Sequence, residues 1–367
     1  MNTKKMRYVW FLVILCIFCL TLFLARTRSK VEMRNRIYHQ WNEHFVVSKG
    51  KESYVRTTND SNQTVVLSEA QSYGMLITVA AAKKGQAQQA DFDRLYQYYL
   101  NHRLEGTQLM SWKQTIANGE ASVEGHNATD GDLYIAYALL KAAQQWPKQA
   151  KDYQAQAKAI LEDVLSYNYN EENGVLTVGN WANQDSEFYH LMRTSDTLPA
   201  QFQIFYEVTK DSKWLAIKEK MLQQLQTISS QTKTGLLPDF IWVDEQGTRV
   251  ADPKTIESKY DGAYSYNACR LPYNLVQSKD ATSQKLVKKM LNFFKSQRNL
   301  YAGYDLKGKA LNNHQAASFL APIVYASEHE KGYLKLVQQN KYIFTQDLPL
   351  NNYYDATMTT MIALELF

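Results

Sequence analysis

The chain has little of what repetitive or linker-rich architectures require. Its 367 residues hold 15 Gly and 7 Pro, too few for a β-solenoid, a propeller or a Pro-rich linker. A 45% apolar and 21% charged balance excludes a disordered or collagen-like chain. Cysteine is nearly absent: Cys16 and Cys19 lie in an apolar N-terminal run, so Cys269 stands alone in the body and no intrachain disulfide forms there. The seven His show no H-E-x-x-H spacing, and His39 and His44, five apart, share no helix face. Gly303 to Gly308-Lys309 has Walker A spacing, but Ala310 replaces the hydroxyl residue that would hold magnesium. No metal and no cofactor are expected.

An excess of one charge is missing too. The net charge is +5, yet residues 1–36 carry eight cations against Glu32 alone, leaving 33 cations against 35 carboxylates, a net −2. A near-neutral body lacks the footprint of a nucleic-acid binder. The cations flank Tyr8 to Ala25, an uncharged 18-residue apolar run bounded by Arg7 and Arg26. That length spans a bilayer, and bulky Phe23 stands where a signal peptidase site needs a small residue. The expectation is an uncleaved anchor over residues 8–25. Residues 1–36 then form a cytoplasmic stub, anchor and basic juxtamembrane segment, and 37–367 a single domain.

Spacings of three and four between apolar residues predict helices over 33–47, 68–84, 90–101, 130–146, 149–166, 199–210, 213–229, 265–276, 283–297, 314–326 and 352–366. Strand signals are scarce, with short extended pieces at 54–57 and 236–242. No fixed-period repeat marks a solenoid, so the pattern predicts an all-α closed helical toroid. The polar stretch 102–128, carrying Trp112, is too long for a connector and is expected to line or cover something.

Two acidic clusters open helices. In Ser68-Glu69-Ala70-Gln71-Ser72-Tyr73-Gly74-Met75, Ser68 and Gln71 fit a capping box and Glu69 suits the helix dipole. In Ala128-Thr129-Asp130-Gly131-Asp132-Leu133, Thr129 or Asp130 fits an N-cap. Taken singly, each is ordinary helix chemistry. Taken together, they supply the paired carboxyls that glycoside hydrolysis needs.

Their order, about sixty residues apart, resembles glycoside hydrolase family 8, the family of bacterial cellulases, chitosanases and xylanases. The likeness continues through Leu109-Met110-Ser111-Trp112-Lys113, Arg193-x-Ser195-Asp196-x-x-Pro199, Tyr266-Asn267-Ala268-Cys269-Arg270-Leu271-Pro272 and Tyr353-Tyr354-Asp355. It implies an (α/α)6 barrel over roughly 37–367, with Glu69 as general acid. It also implies that the Asp130/Asp132 pair marks the motif whose aspartate holds the sugar at the −1 site. Tyr73, Trp112, Trp181, Asn267 and Arg270 join Asp132 as substrate-binding candidates, the aromatic rings offering flat faces to sugars. Trp41, Trp146 and Trp214 fall on helix stripes and read as core.

The departure is at the base. Many members carry Asp in a Tyr-Asp-Ala-x-Arg motif where this chain has Asn267, and an amide is no base near neutral pH. Asp196, Asp261 and Glu257 are the local carboxyls that remain; Asp196 ranks first and Asp261 second. The implied function is inverting hydrolysis of a β-1,4-linked polysaccharide, with an exported exopolysaccharide as one substrate, by a single-pass membrane protein whose catalytic domain is extracellular. The alternative is a catalytically inactive carbohydrate-binding protein on the same barrel.

Overall fold

Residues 3–60, 62–118 and 120–367 are described by a computed structural model. The helical periodicities resolve into twelve α-helices among the described residues. They are α1 (Thr3–Phe45), α2 (Ser68–Ala82), α3 (Gln89–Asn101), α4 (Thr129–Gln145), α5 (Ala150–Tyr167), α6 (Pro199–Thr209), α7 (Lys213–Ser230), α8 (Leu271–Val276), α9 (Ala281–Ser296), α10 (Ala317–His329), α11 (Leu334–Asn340) and α12 (Tyr353–Leu366). Even-numbered helices form an inner ring, closed where α12 packs on α2; each odd-numbered helix backs an inner neighbour from outside. This is the expected (α/α)6 barrel. Burial follows position. The inner α2, α4, α10 and α12 are buried almost all round, whereas outer α3 and α9 bury one stripe.

Three details differ from the sequence reading. The apolar run and the predicted 33–47 helix are one continuous α1. The seven-residue α11 lies below the length at which a periodic pattern shows. Three small antiparallel sheets decorate one end of the barrel: Val46–Lys49 with Glu52–Val55; Gln63–Leu67, Lys113–Ala117 and Glu120–Val123; and Leu191–Arg193, Phe240–Asp244 and Gly247–Val250. The polar stretch 102–128 thus contains a hairpin, with Trp112 just before its first strand at that end.

Segment α1 runs antiparallel to α12. The Phe45 and Tyr353 rings meet edge-on at 5.9 Å, and Trp41 Nε1 donates to Thr357 Oγ1 at 2.9 Å. Arg34 then donates to the Phe367 carbonyl at 2.9 Å. Beyond that point α1 leaves the barrel, carrying the uncharged apolar run with none of it buried. It departs from the face holding the C-terminal ends of the inner helices.

Neither acidic cluster serves as the cap its sequence suggested. Leu67 and Ala128 occupy the N-cap positions without side-chain caps. Gln71 instead accepts from Val55 N–H and donates to the Ser53 and Leu95 carbonyls, and Thr129 donates to the Thr177 carbonyl at 2.6 Å. The starts of α2 and α4 touch at Gly131, where a Cβ would stand 2.2 Å from Ser68 Oγ and 3.0 Å from the Ser68 carbonyl carbon. That contact sets Glu69 beside Asp130. Gly131→Ala should therefore cost about 1–3 kcal/mol in urea unfolding, the usual penalty of overpacking, and should lower hydrolysis by pushing the two acids apart.

Candidate active site

The N-terminal ends of the inner helices converge on one fully sequestered guanidinium. Arg270 is 1% exposed. Its Nη1 donates to Glu69 Oε2 (2.7 Å), Tyr73 OH (3.0 Å) and Asp130 Oδ2 (3.1 Å), and its Nη2 to Ser195 Oγ (2.7 Å) and Asn267 Oδ1 (3.1 Å). Local structure holds it there. Asp239 Oδ1 accepts the backbone N–H groups of Ser265, Asn267 and Ala268, clamping the turn that leads into Arg270.

The two acids around this cation sit in different fields. Asp130 Oδ1 accepts the Gly131 N–H at 2.9 Å and faces Arg193 Nη1 at 3.2 Å, while Oδ2 faces Arg270. Burial pushes its carboxyl up, but Arg193 and Arg270 outweigh it and hold it below its ordinary value. For Glu69 burial wins: its carboxyl is pushed up to about 7, with Arg270 opposing and Asp130 reinforcing the rise. One carboxyl stays ionised and the other keeps a proton near neutral pH, the division a proton donor and a sugar-gripping acceptor require.

Above them lies a cleft of about 280 Å³, walled by Glu69, Trp112, Asp130, Glu257, Tyr266 and Asn267 among others. Trp112 and Tyr266, 37% and 43% exposed, supply its aromatic lining. Glu257 stands on the solvent side, its side chain 44% exposed. Its Oε2 accepts from Asn267 Nδ2 at 2.8 Å and its Oε1 from Arg193 Nη2 at 3.3 Å.

A sequence model described as glycosyl hydrolases family 8 matches residues 13–365. The chain belongs to this family. It is 31% identical over 299 residues to a beta-glucanase of Niallia circulans, spanning 78% of this chain and 72% of that protein. It is 28% identical over 317 residues to endoglucanase A of Acetivibrio thermocellus, covering 83% of this chain and 62% of that one. Among solved structures, a beta-1,3-1,4-glucanase from Paenibacillus sp. X4 superposes with a TM-score of 0.82 at 25% identity, covering 93% and 92% of the two chains. The enzyme is a glycoside hydrolase acting on β-glycans.

Several site residues expected from sequence lie elsewhere in the hydrolase. Asp261 is fully buried, and its oxygens accept the N–H groups of Ile256, Glu257 and Ser258; it fixes the loop that carries Glu257 and does not reach the cleft. Asp196 is 1% exposed beneath Arg193 and is likewise absent from the cleft wall. Asp132 turns inward to Met110 N–H and Asn127 Nδ2. Tyr73 and Arg270 are buried under the site and bonded to each other, and of the two Arg270 reaches Glu69. Trp181 packs edge-on against Phe188 at 5.4 Å, outside the cleft wall. Glu69, Asp130, Trp112 and Asn267 do come together there.

Sequence reasoning missed Arg193, Ser195, Asp239 and Tyr266 as site builders, although three of them sit inside family-like motifs. Glu257 stands behind Asp196 and Asp261 in the sequence reading, although it is the one of the three that borders the cleft. A general acid at Glu69, the role the family resemblance implies, acts only while protonated, so with that role kcat/KM on soluble β-glucan should fall above about pH 7, roughly tenfold per unit. A pH–rate profile flat for about two units beyond that point would remove Glu69 from the acid role.

Proposed function

We propose that the protein is an inverting endo-β-1,4-glucanase tethered to the membrane by α1, with Glu69 as general acid and Glu257 as general base. The observation that carries this reading is a second carboxyl on the same cleft wall as Glu69 but held by a different set of partners. Glu69 is tied to Arg270 and Glu257 to Asn267 and Arg193, so the two border one cleft without sharing a hydrogen bond. Protonated Glu69 gives its proton to the glycosidic oxygen as the C1–O bond breaks. Glu257 takes a proton from the water that attacks C1 from the opposite face. Asp130, ionised between two guanidiniums, grips hydroxyls of the distorted −1 sugar, and Trp112 and Tyr266 stack on its neighbours.

The names of the relatives support a β-glucan substrate, and the fold supports a polymer approached from outside. The cleft lies at the N-terminal ends of the inner helices and the apolar part of α1 departs from the other end, a barrel height of about 25 Å away for a 17-residue helix. An anchored enzyme so oriented trims a chain, such as an exported exopolysaccharide, at a distance from the bilayer. The catalytically silent alternative loses its one support, because Asn267 has a role beside Glu257.

Glu69→Gln and Glu257→Gln should each lower turnover by at least about 10²-fold while oligosaccharide binding persists. Asn267→Ala should retain more activity than either. NMR of the first product should show the α-anomer; a β-anomer would overturn inversion, and near-normal turnover by Glu257→Gln would overturn the base assignment. Full-length protein should stay with membranes through a high-salt wash, and recovery of a mature chain lacking residues 1–25 would make the segment a signal peptide.

A further inference from the structure

The far end of the barrel holds a second cavity of about 400 Å³, to which all six inner helices contribute. Three lysines border it, Lys83 and Lys84 just past the end of α2 and Lys141 on α4, against one carboxylate, Glu365. Glu365 is already engaged, accepting from Tyr273 OH at 2.6 Å. Gln201 also lines the cavity; it is 1% exposed and its Oε1 has no hydrogen-bond partner. Lysines near helix C-termini complement the dipole, which accounts for Lys83 and Lys84. It does not account for Lys141, which precedes the last turn of α4 and lies half-buried with its Nζ 5.0 Å from the Tyr137 ring centre. Burial lowers its pKa, with Glu365 opposing only in part, and an anionic ligand would offset the remainder.

The direction this cavity faces identifies the ligand. Glu365 stands in the last turn of α12 and lines the cavity; the adjoining Phe367 ring lies 5.4 Å from Lys30 Nζ. Lys30 is five residues beyond Ala25, about 8 Å along the helix. The headgroup layer is itself roughly 5–7 Å deep on each side of the hydrocarbon. Resting on the anchoring role given to α1, we infer that the far mouth of the barrel seats an anionic, hydroxyl-bearing phospholipid headgroup of phosphatidylglycerol type. The lysines meet the phosphate, and Gln201 Oε1 accepts from a headgroup hydroxyl. The seat would hold the barrel upright on the bilayer with its cleft outward.

Full-length protein in nonionic detergent is exposed to phosphatidylglycerol, to phosphatidylcholine and to sn-glycerol 3-phosphate, and bound ligand is counted by native mass spectrometry. Phosphatidylglycerol should be retained at least about tenfold over phosphatidylcholine. The triple variant Lys83→Gln, Lys84→Gln, Lys141→Gln should lose that preference while keeping β-glucan hydrolysis and membrane retention. If this variant fails to fold, the rim substitution Lys84→Glu should still weaken retention. Unchanged preference in a folded variant would assign the lipid to Arg26, Arg28 and Lys30 and overturn the seat. Equal binding of glycerol phosphate and lipid would reassign it to a soluble phosphate. Loss of the protein from membranes on salt washing would instead strike the anchor, since selectivity in micelles does not depend on a span.

Discussion

A guanidinium buried to 1% exposure must find acceptors for its N–H groups inside the protein, and Arg270 finds them on four separate segments. Its acceptors come from α2, from α4, from the turn at Thr194–Asp196 and from Asn267. Isolating such a cation costs several kcal/mol unless it is paired, so these segments are held in register by the same contacts that satisfy the charge. Lysine would not serve, because its single ammonium cannot present the planar fork that reaches both sides. Satisfying the core and placing the acid are therefore one requirement. The barrel closes around Arg270, and Glu69 and Asp130 are where they are because of it.

From that centre the division of labour between the acids follows. Both begin helices, where the dipole favours negative charge, yet Glu69 is pushed up to about 7 while Asp130 is held below its ordinary value. Asp130 takes a helix N–H and a second guanidinium, whereas Glu69 shares one nitrogen of Arg270 with two other acceptors. Asp196 lies in a similar position to Glu69: burial pushes it up to about 7, Arg193 opposing, with neither oxygen hydrogen-bonded within the protein. The cations are thus matched first by Asp130, and protons stay on the carboxyls served less well.

How much of this was legible from the residues depends on range. The inner helices announce themselves by three- and four-residue spacing, and the acids by their place at helix starts, so the barrel and the pair Glu69 and Asp130 could be read. What a side chain does at a helix start could not be read, because it depends on partners far away in sequence. Gln71 looked like half of a capping box and instead bridges Ser53 and Leu95. Asp261 looked like a candidate base and instead gathers three amides. Glu257 sits in a loop of no periodicity, and its importance appears only when that loop folds over the cleft.

Asn267 and Glu257 make sense as one device. The amide accepts from Arg270 through Oδ1 and donates to Glu257 through Nδ2. A carboxylate at 267 could do the first of these and not the second; it would set a like charge against Glu257 within hydrogen-bond distance. With Asp at 267 a second base would be redundant and repelled, and with Asn the neighbouring carboxyl is welcomed and oriented. On the proposed assignment of Glu257 as base, the amide at 267 goes with a basic function ten residues upstream, on a loop that Asp261 holds in place. Through Asn267 and Arg270, an unbroken chain of hydrogen bonds then runs from Glu257 to Glu69, so the placing of one carboxyl relative to the other is set by this network and not by the exposed loop alone.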